Sequence, residues 1–185
     1  MDNMWKGVSD DDQKYFTSKG YAITYGELTL DGLKTIMKDN VKVKKDKIFV
    51  DLGSGEGNVV LNAIKLYPQL QMGIGIELSK SRHERAIEKL ENSKLKDKNK
   101  VKFFNEDILD DGWDYSDFDI IYISNLCFPE DVNVKIAEKI KKECKKGTQI
   151  FCSKPLPPID GGNKISEFNV CQTWTQESKI NYYKI

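Results

Sequence analysis

The feature that most constrains this chain is a strand that runs directly into a glycine turn and then into a helix. Residues 47–52 read Lys-Ile-Phe-Val-Asp-Leu, an apolar, β-branched run without alternation, which is the pattern of a strand buried on both faces. Gly53-Ser54-Gly55-Glu56-Gly57 follows, and over 58–67 the residues Val59, Val60, Ala63, Ile64 and Tyr67 recur at helical spacing. Further strands are predicted over 72–77, 101–104, 118–124 and 148–152. Helices are predicted over 82–95 and along the stripe Val132, Ile136, Ala137, Ile140 and Cys144. Such alternation, with right-handed crossovers, predicts a Rossmann-like α/β fold built on a doubly wound, mostly parallel sheet of about seven strands. The end of the chain breaks the pattern. Segments 168–175 and 179–185 are strand-like and separated only by Gln176-Glu177-Ser178, so they are expected to pair as a C-terminal antiparallel hairpin.

At 185 residues the chain has the size of one domain. The expected layout is an N-terminal segment over 1–40 with a helix over 28–38, a core over 41–155, and the hairpin over 156–185. Pro155-Leu156-Pro157-Pro158 and Gly161-Gly162 mark the loop between core and hairpin. Lys+Arg and Asp+Glu are both 29, so there is no surplus of base of the kind a protein living by phosphate neutralisation carries. Lys94, Lys96, Lys98, Lys100 and Lys102 form a local basic stretch, readable as a solvated helix end or as a non-specific DNA contact. Cys127, Cys144, Cys152 and Cys171 make no C-x-x-C pair and His83 is the lone histidine, so no metal site is expected. Reduced thiols suit an intracellular protein. Neither an apolar run of about 20 residues nor a signal-peptide core is present, and a soluble protein without membrane contact is expected.

The glycine turn carries the chemistry. Glycines let a ligand approach the main chain closely. The spacing is G-x-G-x-G, not the G-x-G-x-x-G of dinucleotide sites, and Asp51 at the strand end would repel a pyrophosphate. That carboxylate suits a ligand with an amino group. Glu77 ends the second strand, where an acid can accept from ribose hydroxyls, and Asp107 follows the third, within reach of an adenine amino group. Three acids after three successive strands point to S-adenosyl-L-methionine, which has an amine, a ribose and an adenine but no phosphate. Taken singly, each acid also reads as a helix cap, and an NAD-type site is the rival.

From Tyr25 to Tyr183 the sequence resembles the disruptor-of-telomeric-silencing family of non-SET histone lysine methyltransferases. Tyr25-Gly26-Glu27, with Thr29 after an intervening Leu28, resembles that family's loop over the cofactor, and Asp51-Leu52-Gly53-Ser54-Gly55 its glycine motif. Ser124-Asn125-Leu126-Cys127-Phe128 is similar to its Asn-Asn-Phe-Ala-Phe, Ser153-Lys154-Pro155 to its Ser-Lys-Pro, Trp174-Thr175 to its Trp-Thr, and Tyr182-Tyr183 to its paired tyrosines. The chain departs from the family at Asn58, where a Gln is usual, at Ile108, where a Phe packs on adenine, and at Pro129-Glu130-Asp131. Set against that family, the protein is expected to do without the larger N-terminal helical region and the basic tail.

The resemblance implies a class I methyltransferase that methylates the side-chain amine of a protein lysine on a nucleosomal histone, and hence a nuclear location. It implies cofactor contacts from Tyr25, Glu27, Thr29, Asp51, Gly53, Ser54, Gly55, Asn58, Glu77, Asp107, Ile108 and Asn125. Asn125 would stand beside the transferred methyl, with Phe128, Trp174, Tyr182 and Tyr183 walling the acceptor channel. The alternatives are methylation of a small molecule, another protein or nucleic acid, or a module that binds the cofactor without turnover; a cytoplasmic location goes with these.

Overall fold

The computed structural model of the chain describes residues 8–22, 26–41, 43–158 and 163–185. Seven strands form one sheet in the order β3-β2-β1-β4-β5-β7-β6. They are β1 (Ile48–Leu52), β2 (Met72–Ile76), β3 (Val101–Phe104), β4 (Ile120–Ile123), β5 (Gln149–Cys152), β6 (Asn163–Gln172) and β7 (Thr175–Lys184). The first five are parallel, and β7 runs antiparallel to both β5 and β6. The helices are α1 (Asp10–Ser18), α2 (Leu30–Thr35, continued by a π turn over Ile36–Asn40), α3 (Asn58–Leu66), α4 (Lys80–Asn92) and α5 (Glu130–Glu143).

Because strand neighbours point to opposite faces, the sheet has two cores. Phe49, Tyr122, Phe151 and Tyr182 face one way, against Leu33 of α2, Val60 and Ile64 of α3 and Ala86 of α4. Val50, Ile121, Ile150 and Tyr183 face the other, against Ile136 and Ile140 of α5 and the Tyr115–Phe118 corner. β1 lies inside the sheet with a parallel neighbour on each side, so its continuous apolar run is buried on both faces.

Gly57 shows why the turn after β1 needs glycine. Its φ is +78°, and a Cβ there would stand 2.4 Å from Cζ of Phe103. The chain therefore passes against the Phe103 ring and enters α3 at once.

Three details differ from the sequence expectation. The hairpin turn is Thr173-Trp174, between Gln172 and Thr175, and not Gln176-Glu177-Ser178. Its position is fixed from outside the hairpin: Thr173 N–H donates to the Glu27 carbonyl (2.9 Å), Glu27 N–H donates to Thr173 Oγ1 (3.0 Å), and Leu28 bridges to Gln172. The helix expected over 28–38 starts at Leu30, because Thr29 caps it by accepting from Gly32 N–H at 3.1 Å. The N-terminal segment, weakly patterned in sequence, contains α1, capped by Ser9 accepting from Asp12 N–H at 3.2 Å.

Candidate functional site

The carboxyl ends of β1, β2, β3 and β4 open into a cavity of about 310 Å³, within the range of roughly 300–1,000 Å³ typical of small-molecule sites. Its floor is the turn after β1, with Asp51, Gly53, Ser54 and Gly55. One wall carries Glu77, Leu78, Asp107, Ile108 and Leu109; the opposite side carries Tyr122, Ser124, Leu126, Cys127 and Phe128. Phe16, Tyr21 and Ala22 close it from the α1 side, and Gly26, Glu27, Leu28 and Trp174 from the hairpin side.

The turn is rigid. Gly53 N–H and Ser54 N–H both donate to the Ile76 carbonyl, at 2.9 and 3.0 Å, stitching β1 to β2 beyond their last paired residues. Glu77 accepts from Gly55 N–H at 2.7 Å through one oxygen and from Ser79 N–H at 2.8 Å through the other. A carboxylate so held keeps lone pairs for a ligand's hydroxyls. Asp107 accepts from Leu109 N–H at 2.9 Å, which fixes it at the mouth.

Asp51 is different. It is 2% exposed, lines the cavity, and its Oδ1 has no hydrogen-bond partner. Burial, with the Glu27 and Glu77 charges added, drives its carboxyl well above the ordinary range. Glu77 is raised too, by burial, although Ser79 N–H, Arg82 and Gly55 N–H pull the other way. Two carboxyls that resist ionisation, one with an unsatisfied oxygen, form a subsite for a cation with N–H donors. A dinucleotide pyrophosphate would meet the same acids as repulsion. S-adenosylmethionine fits on both counts. Among the described residues no group of three His, Cys, Asp or Glu side chains is arranged to hold a metal.

Several residues expected at the site stand elsewhere. Tyr182 and Tyr183 do not line the cavity. As chain neighbours in β7 they face opposite cores, Tyr182 stacked on Phe151 at 4.7 Å with its hydroxyl accepting from Gln149, Tyr183 accepting from Leu156 N–H at 3.3 Å. Strand alternation forbids both from walling one channel. Asn125 is 0% exposed and its amide is consumed internally: Nδ2 donates to Asn133 Oδ1 (2.7 Å) and the Lys154 carbonyl (3.1 Å), while Oδ1 accepts from Lys154 N–H (2.8 Å). It ties β4 to α5 and to the end of β5, and Ser124 faces the cavity in its place.

Thr29 is the α2 cap and donates to the Cys171 carbonyl at 2.8 Å. Asn58 lies one step behind the lining. It donates to Glu27 at 2.6 Å and accepts from Lys89 at 3.1 Å, so it steadies Glu27 from below. Tyr25 lies outside the described residues. Phe128, Ile108, Glu27, Asp51, Gly53, Ser54, Gly55, Glu77 and Asp107 are all brought to the cavity.

The α1 contribution was missed in sequence. Asp12 accepts from Ser79 Oγ (2.7 Å), Ser81 N–H (2.9 Å) and Ser81 Oγ (2.5 Å), docking α1 on the start of α4 so that Phe16 and Tyr21 roof the cavity. Ser9-Asp10-Asp11-Asp12 is an S-x-x-D capping signal that marks the helix. Tyr122 and Arg82 are further lining residues not singled out beforehand, and Ser124, read in the sequence only as part of its motif, lines the cavity as well.

The basic stretch sits away from all of this. Residues 94–100 precede β3, at the amino edge of the sheet, and Lys98 and Lys100 are drawn onto the carbonyls of Glu91 and of Pro68 and Leu70. No helix among the described residues is long and apolar enough to cross a membrane.

A histone-lysine N-methyltransferase of Dictyostelium discoideum, described as H3 lysine-79 specific, is 27% identical over 128 residues, which are 63% of this chain and 7% of that protein. A protein-lysine N-methyltransferase of Saccharolobus islandicus is 26% identical over 117 residues, 62% of this chain and 66% of that one. The chain thus spans a small part of the first relative and about two thirds of the second. A methylase structure from Haemophilus influenzae superposes with a TM-score of 0.63 at 16% identity, over 82% of this chain and 86% of its own, and shows the shared fold. The family described as "Histone methylation protein DOT1" matches residues 10–184, nearly the whole sequence, and the chain belongs to that family.

Proposed function

We propose that this protein is an S-adenosylmethionine-dependent methyltransferase that transfers a methyl group to the side-chain amine of a protein lysine, on a histone. The observation that carries the reading is the buried Asp51 carboxyl, one oxygen of which is unpartnered, on the floor of an acidic cavity, in a chain of the DOT1 family. When bound, the cofactor supplies a methyl group on a sulfonium, open to in-line displacement.

What the chain must add is alignment and exclusion of water. Asp51 and Glu77 hold the amino and ribose groups of the donor, with Asp107 and Ile108 at the adenine end. Phe16 and Tyr21 cover it. Phe128 and Trp174 line the opening left for the acceptor, whose ammonium costs about 4.6 kcal/mol to deprotonate at pH 7 from a pKa of about 10.4, at about 1.36 kcal/mol per unit. Aromatic walls around the lysine stem lower that cost by desolvation and tolerate the cationic product. Trp174 is 46% exposed and Leu126 47% exposed, an apolar rim suited to an incoming side-chain stem. A histone substrate implies a nuclear location.

The histone assignment rests on the family and on the name of the Dictyostelium relative. A DNA contact through Lys94–Lys102 would anchor the chain from the edge away from the cavity, so it would aid retention without steering the acceptor. The test is methyl incorporation into nucleosomes, free histones and nucleic acid in parallel, with the modified residue identified by mass spectrometry. Label on a histone lysine is expected. Label confined to nucleic acid overturns the substrate, and absence of S-adenosylhomocysteine binding by calorimetry overturns the cofactor.

A further inference from the structure

Tyr122 is the β4 residue paired with Asp51 across the β1–β4 ladder, so the two side chains leave the same face of the sheet side by side. Both line the cavity. Tyr122 is 1% exposed, and its hydroxyl, like Asp51 Oδ1, has no hydrogen-bond partner. Two buried polar atoms on paired residues of one cavity thus stand unsatisfied, and they do not satisfy each other.

Burial foremost, with the neighbouring Asp51 charge, raises the phenol pKa, so the group is a neutral hydroxyl with an acceptor lone pair to offer. The Ser124 and Ser153 hydroxyls approach the phenol and draw its pKa back down in part, but neither reaches full hydrogen-bond geometry with it. A buried unsatisfied hydroxyl is a standing cost unless a ligand engages it. A ligand that answers both atoms offers a donor to each, and a primary ammonium carries enough N–H groups to do so.

We propose that the Tyr122 hydroxyl oxygen is a second acceptor for the cofactor amino group held by Asp51, making the pair a two-point clamp on the amino-acid end of the donor. This rests on the cofactor reading above. Tyr122 is then a binding residue of this chain's own β4, beyond the acidic positions that follow the strands. The clamp fixes the direction in which the amino-acid arm leaves the sheet, and so limits where the sulfonium can lie.

The test is calorimetric titration of the whole chain and its Tyr122→Phe variant with S-adenosylhomocysteine and with 5′-methylthioadenosine, which keeps the nucleoside thioether and lacks the amino-acid arm. S-adenosylhomocysteine is expected to bind the variant about tenfold more weakly, the order expected for one hydrogen bond to a charged group, with 5′-methylthioadenosine unchanged. In an Asp51→Asn background the same change is expected to cost less, because the two acceptors share one ammonium. Equal weakening of both ligands, or of neither, overturns the proposal. So does a lower melting temperature for the free variant, since a hydroxyl without a protein partner adds nothing to the free fold. Failure of the wild-type chain to bind S-adenosylhomocysteine would instead sink the cofactor reading itself.

Discussion

Asn125 donates through Nδ2 to Oδ1 of Asn133 at 2.7 Å, and neither residue has any exposed surface. Asn133 in turn donates to the carbonyls of Phe128 and Pro129, both at 3.2 Å, so the pair clasps the loop between β4 and α5 around its own main chain. Asn125→Ala would strip partners from Asn133 Oδ1 and from both main-chain groups of Lys154. The expected loss is about 3 kcal/mol of folding stability, read from the midpoint of urea denaturation at unchanged slope. An effect confined to methyl transfer, with stability intact, would contradict the internal tie.

Asp51→Asn is expected to reduce S-adenosylhomocysteine affinity by at least about tenfold and, at pH 7, to make the free chain more stable. The sign follows from the raised carboxyl. With the folded pKa above the unfolded one, near about 3.9, the folded state holds the extra proton. The associated stability is present below that pH and is lost as pH rises through the folded value. The Asn variant escapes this loss, so the difference in melting temperature between variant and wild type should widen from pH 4 upward. Cofactor affinity of the wild type should rise over the same interval, with protons released on binding.

Asp12 works in the opposite sense. Its partial burial opposes ionisation, but the hydrogen bonds from Ser81 and Ser79 outweigh that and hold its pKa below the usual range. The stability it contributes is present above the unfolded pKa and is lost as pH falls through the folded one. Asp12→Ala is expected to cost about 1 kcal/mol after allowance for solvent contact, and chiefly to free α1. The readouts are faster proteolysis within 8–22 and several-fold faster release of S-adenosylhomocysteine in stopped flow.

Thr173→Val removes the acceptor for Glu27 N–H while leaving the Thr173 main chain able to reach the Glu27 carbonyl. A loosened loop and roughly threefold weaker cofactor binding are expected, with little change in the melting temperature, because the lost bond is exposed. Calorimetry and thermal melts on the same samples separate the two effects.

What could be read beforehand was what is local along the chain. The strand, glycine turn and helix around Asp51 are contiguous, so spacing alone located the floor of the cavity, and Glu77 and Asp107 followed because each sits just past a strand, while Ile108 came only from the family resemblance. Asn125 and the tyrosine pair misled, since their roles depend on what lies across space. The partner of Asn125 is on another element, and the adjacency of Tyr182 and Tyr183 in sequence is a separation across the sheet. The hairpin turn was displaced because polar Gln176-Glu177-Ser178 reads as a turn, whereas contacts to residues 27 and 28 select Thr173-Trp174. Tyr122 was invisible as a site residue for a simpler reason. Within the run Ile-Ile-Tyr-Ile an aromatic is what any buried strand would carry.

The grip of Thr173 on Glu27 joins positions 146 apart in the chain. During synthesis the first half of the pocket therefore emerges long before the strand that latches it. Glycine turn and acids can be in place while the loop over them still hangs open, so a ribosome-bound intermediate would hold its donor poorly until β6 and β7 have paired. Competence to bind thus arrives late in translation, set by the exit of the hairpin.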